Sequence, residues 1–441
     1  MTQDKFEELK TEADTYWETR SNGNIPLIRI GTAMCGHAAG AYRVADKLKT
    51  VLSDKSIEAN FDEVGCLGLC YAEPLLDIKK PGSPRVFFNN VTADDIDQII
   101  ESYLINNVLP ESNVLGYMGE GEVPESADAM ENIPGIALQN RIALRNAGHI
   151  EPSNALQYIA TGGYSGLYKA VTTMEPSEVI DEVKNSGLRG RGGAAFPTGV
   201  KWSFLVGSPG PTKYILCNCE EGDPGAYNDK GILESDPHTL LEGLAIAGYA
   251  TGASNGIVFI RHGHDGPIDR TEAAITEAYE NGLLGENIFG SDFSFDIEVA
   301  LTGESYVAGE ETALMEAVEG KRSMPRFRPP FPAAFGVWGK PSNINNVKSL
   351  SYAPEIISKG SEWFSAIGVN QSTGTAIVCL SGDVNKPGLY EVSMGMTLGQ
   401  VVDDLGGGVS GGRELKLLQT GGPWEEFLAQ IVETSTSILM K

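Results

Sequence analysis

One stretch constrains this chain more than any other: Gly187-Leu-Arg-Gly-Arg-Gly-Gly-Ala-Ala-Phe-Pro-Thr-Gly-Val-Lys-Trp202. Four glycines and two alanines fall within nine residues, with arginines between them and a lysine near the end. Glycine opens left-handed backbone conformations and lets another group lie close against the chain. Interleaved cations and exposed backbone N–H groups suit a phosphate, or a flat heteroaromatic ring laid on the backbone. Gly190-x-Gly192-x-x-Ala195 approaches the dinucleotide fingerprint, but that motif comes after a strand and opens a helix. Here the preceding Pro176 to Ser186 reads as a helix with Ser177 as its N-cap, and Pro197 interrupts the chain just beyond the motif.

The whole stretch resembles the FMN-binding signature of the flavoprotein subunit of respiratory complex I. The same module occurs in NAD-linked hydrogenases and formate dehydrogenases. Other segments extend the resemblance over roughly residues 25–423.

A chain of 441 residues has room for two to four domains. Its formal charge of −26 argues against nucleic acid, whose phosphates demand Lys and Arg, and against anionic membrane surfaces. No apolar run reaches the ~18 residues needed to span a bilayer, and the polar N-terminus offers no secretory signal. A cytoplasmic protein is expected, with an α/β multidomain fold. Six cysteines in so long a chain do not form a disulfide framework.

Residues 1–110 read as one unit. Strand-like Leu27–Ile30, helix-like Ala41–Leu52 and strand-like Ile57–Val64 lead to short strands at Leu75–Ile78 and Val86–Phe88, then a helix over Asp94–Leu104. That order is thioredoxin-like. Cys66-Leu-Gly-Leu-Cys70 resembles the second half of thioredoxin-like [2Fe-2S] ferredoxins, which supply four thiolates from C-x4-C and C-x3-C pairs. The first pair is incomplete: if Cys35 is its second member, the first falls on Ile30, which cannot bind iron. Three thiolates therefore stand where four are needed, with His37 nearby as a substitute ligand of the kind Rieske centres use. The expectation is a retained fold with the cluster lost or labile.

Residues 111–135 are glycine-rich, acidic and aperiodic, and read as a linker. The segment 136–374 then alternates strands and helices in the manner of a mainly parallel, Rossmann-like sheet. Lys213–Cys219 is an apolar strand ending in Asn218 and the acids Glu220, Glu221 and Asp223; open α/β sheets bind ligands at such edges. Alternation puts Cys217 and Cys219 on one face and Asn218 on the other. A helix is expected over 233–252, a strand over Gly256–Arg261, a helix from Arg270 to Asn281 and a strand over Phe295–Ala300. His262 and His264 read as loop histidines without a role, and Cys379 as a core residue.

Several segments resemble the same family. Cys217-Asn-Cys-Glu-Glu-Gly-Asp-Pro-Gly225 matches its Asn-containing acidic turn, and Tyr306-Val-Ala-Gly-Glu-Glu-Thr-Ala-Leu314 matches the opening of a helix beneath the flavin. Pro341-Ser-Asn-Ile-Asn-Asn-Val347 matches the family's asparagine pair. In the basic loop Gly320–Pro332, Arg328 takes the place of a Lys and Phe331 that of a Phe, both lining the NADH channel in relatives. Arg supplies a cation of different shape. The resemblance places Gly190, Arg191, Gly192, Gly193, Lys201, Asn218, Glu220, Glu221, Tyr306, Gly309, Glu310, Asn345 and Asn346 around FMN. It places Phe196, Asp223, Glu311, Arg328 and Phe331 toward NADH.

Residues 375–423 resemble the soluble-ligand-binding β-grasp (SLBB) segment of the same subunit, and the likeness stops there. Relatives continue into a helical domain whose cysteines hold a [4Fe-4S] cluster, while Trp424–Lys441 forms a divergent tail without such ligands. A truncation or a shifted reading frame is expected at that point. The implied function is hydride transfer from NADH to FMN inside a larger iron–sulfur complex, with artificial acceptors or oxygen as the electron exits left to this chain alone. A catalytically silent scaffold and an NADPH-linked flavin site are the alternatives; acids at 220–223 disfavour the latter's 2′-phosphate.

Overall fold

The computed structural model describes residues 2–125, 127–302, 305–421, 427–429 and 438. The expected tail over 424–441 lies almost wholly outside them. The architecture is α/β and multidomain, and no helix among the described residues is long and apolar enough to cross a membrane.

The first sheet has five strands: β1 (Leu27–Gly31), β2 (Asn60–Val64), β3 (Leu76–Lys79), β4 (Arg85–Phe88) and β5 (Val114–Met118), in the order β2-β1-β3-β4-β5. β1 and β2 are parallel, joined across the helix Ala41–Asp54, and the other pairs are antiparallel. Ile28, Ile30, Val44, Leu48, Ile78 and Val86 form its core.

Two features of this region differ from the sequence reading. β5 lies inside the segment read as a linker. Its side chains serve two different clusters, Val114 and Tyr117 on one and Leu115 and Met118 on the other. Both faces carry apolar residues, so no period-2 pattern marks the strand. The helix Gln3–Asn22, counted with the first 110 residues, instead packs on the larger core. Phe6 is fully buried there between Tyr168 and Phe289, with ring centroids 4.9 and 4.8 Å away.

The second sheet is parallel throughout: β6 (Tyr214–Cys219), β7 (Asn255–Arg261), β8 (Asp296–Thr302) and β9 (Ser342–Asn346), in the order β8-β7-β6-β9. Both faces are covered, which is how parallel sheets are stabilised. Ile215, Cys217, Cys219, Val258 and Ile260 face one cluster; Leu216, Ile257, Phe259 and Ile344 face the other.

The expected helix over 233–252 is broken at Asp236. Its side chain accepts the Thr239 N–H, and Pro237 opens a new helix, Pro237–Thr251, in which all but Tyr249 are buried. Ser177 lies inside the helix Pro176–Asn185; the cap is Glu175, in a reciprocal pairing with Glu178. A carboxylate at that end also meets the positive pole of the helix dipole, an advantage the serine lacks.

The remaining strands are short antiparallel pairs: β10 (Gly368–Val369) with β11 (Ser372–Thr373), β12 (Thr375–Leu380) with β13 (Gly388–Ser393), and β14 (Leu417–Gln419) with β15 (Phe427–Ala429). From β13, the fully buried Glu391 carboxylate accepts the N–H groups of Ile142, Ala143 and Leu144 at 2.8–3.1 Å. Leu380, Tyr390 and Val392 pack on Leu69 and Phe87 of the first region.

Candidate functional site at the carboxyl edge of the parallel sheet

From β6 the chain crosses to β7 on one side, while β9 returns on the other. Strand order reverses at β6 and β9, and in open α/β sheets the crevice beyond that point receives ligands. Asn218 and Asn346 are register partners there, as are Cys217 and Asn345 one step back. Strand alternation separates them. Cys217 and Cys219 are fully buried in the core, and the Asn218 amide turns outward to donate to the Gly309 carbonyl at 2.8 Å and accept the Glu220 N–H at 3.1 Å. Asn346 accepts the Lys348 N–H and donates to Asp229 at 2.6 Å. Asn345 points the other way, accepting the Trp202 indole N–H at 3.3 Å and donating to Asn343.

The glycine loop closes on itself through Gly190 N–H to the Phe196 carbonyl (2.8 Å) and Thr198 N–H to the Leu188 carbonyl (2.9 Å). It lies against the β9 end. A Cβ on Gly192 would sit 3.1 Å from the Asn346 Cβ. Gly193 has φ +109°, and a Cβ there would meet nothing within 4 Å, leaving an open face beside the asparagine edge. Such a cradle fits a ligand laid on the backbone.

Arg191 has a different task from that of a ligand-facing cation. Its guanidinium donates to the carbonyls of Thr375 (3.2 Å), Thr373 (2.8 Å) and Arg189 (2.9 Å), and lies 5.4 Å from the Tyr352 ring centroid. Its N–H donates to Ser349 Oγ at 2.8 Å. The loop is thereby fastened to β11 and β12, and burial lowers the guanidinium's pKa.

The acids divide by role. Glu220 pairs with Arg261 at 2.5 Å, and a Cβ on Gly309 would sit 3.0 Å from its Oε2. Burial raises the Glu220 pKa. Glu221 accepts the N–H groups of Asn228, Asp229 and Lys230 at 2.9–3.1 Å, holding the first turn of the helix Asn228–Ser235. Its pKa is raised by burial and then by Asp229. Glu310 caps the helix Glu311–Val318 through Thr312 and Ala313. Glu311 is the meeting point of two cations, Lys201 at 3.3 Å and Arg328 at 2.6 Å. Asp223 accepts the Tyr306 hydroxyl at 2.8 Å. Phe196 and Phe331 are 46% and 61% exposed, apolar surfaces open to solvent.

Sequence reasoning missed Asp229, Lys348, Ser349 and Arg261. Lys348 pairs with Asp229 at 2.8 Å behind the asparagine edge. Asn346, 117 positions from Asp229, completes that cluster. Nothing in local spacing signals it.

The three cysteines of the first region converge. Cys35 lies on the short helix after β1; Cys66 and Cys70 come after β2; their Sγ atoms all lie within 4.8 Å of one another. His37 does not join them: its ring rests edge-on against Tyr42, with centroids 4.6 Å apart. Ile30 is fully buried in the sheet core. Among the described residues this donor set supplies three thiolates, which does not fit the four-thiolate [2Fe-2S] pattern.

A glycine cradle beside an asparagine edge, at the switch point of a doubly covered parallel sheet, defines a nucleotide-binding α/β protein. Residues 183–355 match the Nuo51 FMN-binding domain, and residues 377–426 match the SLBB domain. The NADP-reducing hydrogenase subunit HndC of Solidesulfovibrio fructosivorans is 51% identical over 65% of this chain and 58% of its own length. An NADH-quinone oxidoreductase subunit of Rhizobium meliloti is 47% identical over 64% of this chain and 67% of its own. The crystal structure of an air-oxidized NAD+-reducing [NiFe]-hydrogenase is similar over 98% of this chain and 70% of that chain, with 26% identity and a TM-score of 0.60. The chain belongs to the Nuo51 FMN-binding flavoprotein family. It spans roughly three-fifths to two-thirds of the length of these curated relatives.

Proposed function

We propose that this chain is an NADH-oxidising flavoprotein module of a larger iron–sulfur electron-transfer complex, working in the cytoplasm. The observation that carries the reading is the open face of Gly193 beside the paired Asn218 and Asn346 edge. FMN, when bound there, supplies the hydride-accepting chemistry. The residues' own tasks are binding and orientation. The backbone of Gly190, Gly192 and Gly193 offers close approach, with Asn218, Tyr306, Gly309, Glu310 and Asn346 around it. Arg191, Glu221 and Asn345 act from behind by fixing the loop, a helix start and Trp202. Phe196, Asp223, Glu311, Arg328 and Phe331 form the dinucleotide side. Lys201 and Arg328, held at Glu311, bring positive charge toward a diphosphate.

Asp223 favours NADH over NADPH, since a carboxylate accepts ribose hydroxyls and repels a 2′-phosphate, whereas the Glu220 charge is already met by Arg261. The division that accompanies this reading is a thioredoxin-like region to residue 110, a flavin region over 136–374 and an SLBB region from 375.

The test is anaerobic titration of FMN-reconstituted protein with NADH, following flavin absorbance. Bleaching at micromolar NADH supports the reading. Flavin that binds but stays oxidised argues against the dinucleotide assignment, and failure to bind flavin favours a scaffold.

A further inference from the structure

The cysteine cluster holds three thiols, and their surroundings speak for a different occupant from a two-iron cluster. A [2Fe-2S] unit divides its ligands between two irons, two on each. Here Cys35, Cys66 and Cys70 gather around one point, with every Sγ pair within 4.8 Å. A tetrahedral zinc with Zn–S bonds of about 2.3 Å has S···S edges of about 3.8 Å, so small side-chain adjustments bring all three onto one ion.

A carboxylate lies beside the trio. Glu73 Oε1 lies 3.8 Å from Cys35 Sγ, and the side chain is 6% exposed. Its other oxygen accepts the Leu75 N–H at 2.8 Å, which orients the carboxylate as outer hydrogen bonds orient metal ligands. The local backbone preserves that placement: a Cβ on Gly31 would sit 3.0 Å from Glu73 Oε2, and one on Gly36 3.2 Å from the same atom. Cys66 is buried, whereas Cys35 and Cys70 are only partly so, which leaves a way in.

We infer that Cys35, Cys66, Cys70 and Glu73 form a mononuclear site for a thiophilic divalent cation such as zinc, in place of a two-iron cluster. The ion would be structural. It would pin the helix Met34–Ala39 to the turn Cys70–Ala72 and carry no electrons, because zinc has no accessible redox step. Such a site stands independently of the flavin reading.

The experiment is metal loading of the full chain with Zn2+ and with Co2+, read by native mass spectrometry and by cobalt absorption. One ion per chain is expected, with thiolate-to-cobalt charge-transfer bands and tetrahedral d–d bands displaced by Zn2+. Glu73→Gln should weaken Zn2+ binding on the order of 10- to 100-fold or more, and Cys70→Ser should remove the tetrahedral spectrum. Cys379→Ser, outside the cluster, should leave it unchanged. Reconstitution with iron and sulfide that yields two irons and two labile sulfides per chain would overturn the proposal. So would a wild-type chain that retains no Zn2+ or Co2+ while binding FMN normally, a readout independent of whether any variant folds.

Discussion

Asn218 and Asn346 are register partners at the carboxyl ends of two adjacent parallel strands, and their amides hold different elements. Asn218 holds the Gly309 carbonyl ahead of one helix; Asn346 holds Asp229 and starts another. One pair of residues thus ties the turn Tyr306–Gly309 and the first turns of two helices together beside the glycine cradle.

The cradle should not tolerate side chains. Gly193→Ala imposes φ +109° on a residue with a Cβ, a strain of about 1–3 kcal/mol. Gly192→Ala crowds Asn346 instead. Each should weaken FMN binding about 10-fold, equivalent to about 1.4 kcal/mol, measured by quenching of flavin fluorescence. Unchanged affinity in both would exclude this loop as the flavin cradle.

Arg191 should behave as a fastener. Lysine cannot reproduce three guanidinium-to-carbonyl bonds, so Arg191→Lys should lower stability by about 2–3 kcal/mol. Flavin stoichiometry at low temperature should survive. Calorimetry alongside flavin content separates this from direct ligation, in which flavin would be lost and stability kept.

Arg328 and Glu311 form a partly exposed pair, worth under about 1 kcal/mol to folding. Arg328→Ala should therefore leave the melting temperature nearly unchanged. Its effect should fall on the dinucleotide: KM for NADH raised about 10-fold with kcat little altered, the signature of lost uniform binding. Steady-state kinetics with ferricyanide as acceptor provides the measurement.

His238 predicts an acid limit. It is fully buried, donates through Nε2 to the Ser153 carbonyl at 3.0 Å and accepts the Tyr164 hydroxyl at Nδ1. Burial lowers its pKa from 6.5 to about 4. The neutral ring is favoured in the fold, so its contribution is complete above pH 6.5 and is lost as pH falls toward about 4. The loss amounts to about 3 kcal/mol. Urea unfolding at about pH 7 and about pH 4.5 should show this decline in the wild type and a shallower one in His238→Asn. Equal slopes would remove His238 from the acid transition.

Much of the fold was legible because its signals are local. Apolar runs at 214–219 and 255–261, separated by helical segments, indicate a parallel sheet from spacing alone. Asp236 defeats that reading, since the chain stays helical on both sides and only the cap marks the break. β5 defeats it too, because a strand shared by two clusters has no periodic face.

The residue chemistry at the glycine loop, the asparagine edge and the acidic turn belongs to the sequence alone, since it depends on which groups are present and how closely they succeed one another. Tertiary structure decided where those groups point. Arg191 reaches carbonyls more than 180 positions away, and Cys35 meets Cys66 and Cys70 across two strands. Phe6 leaves its own region to fill the larger core. Such pairings are set by whichever packing buries the most apolar surface while satisfying most buried polar groups, a balance struck over the whole chain.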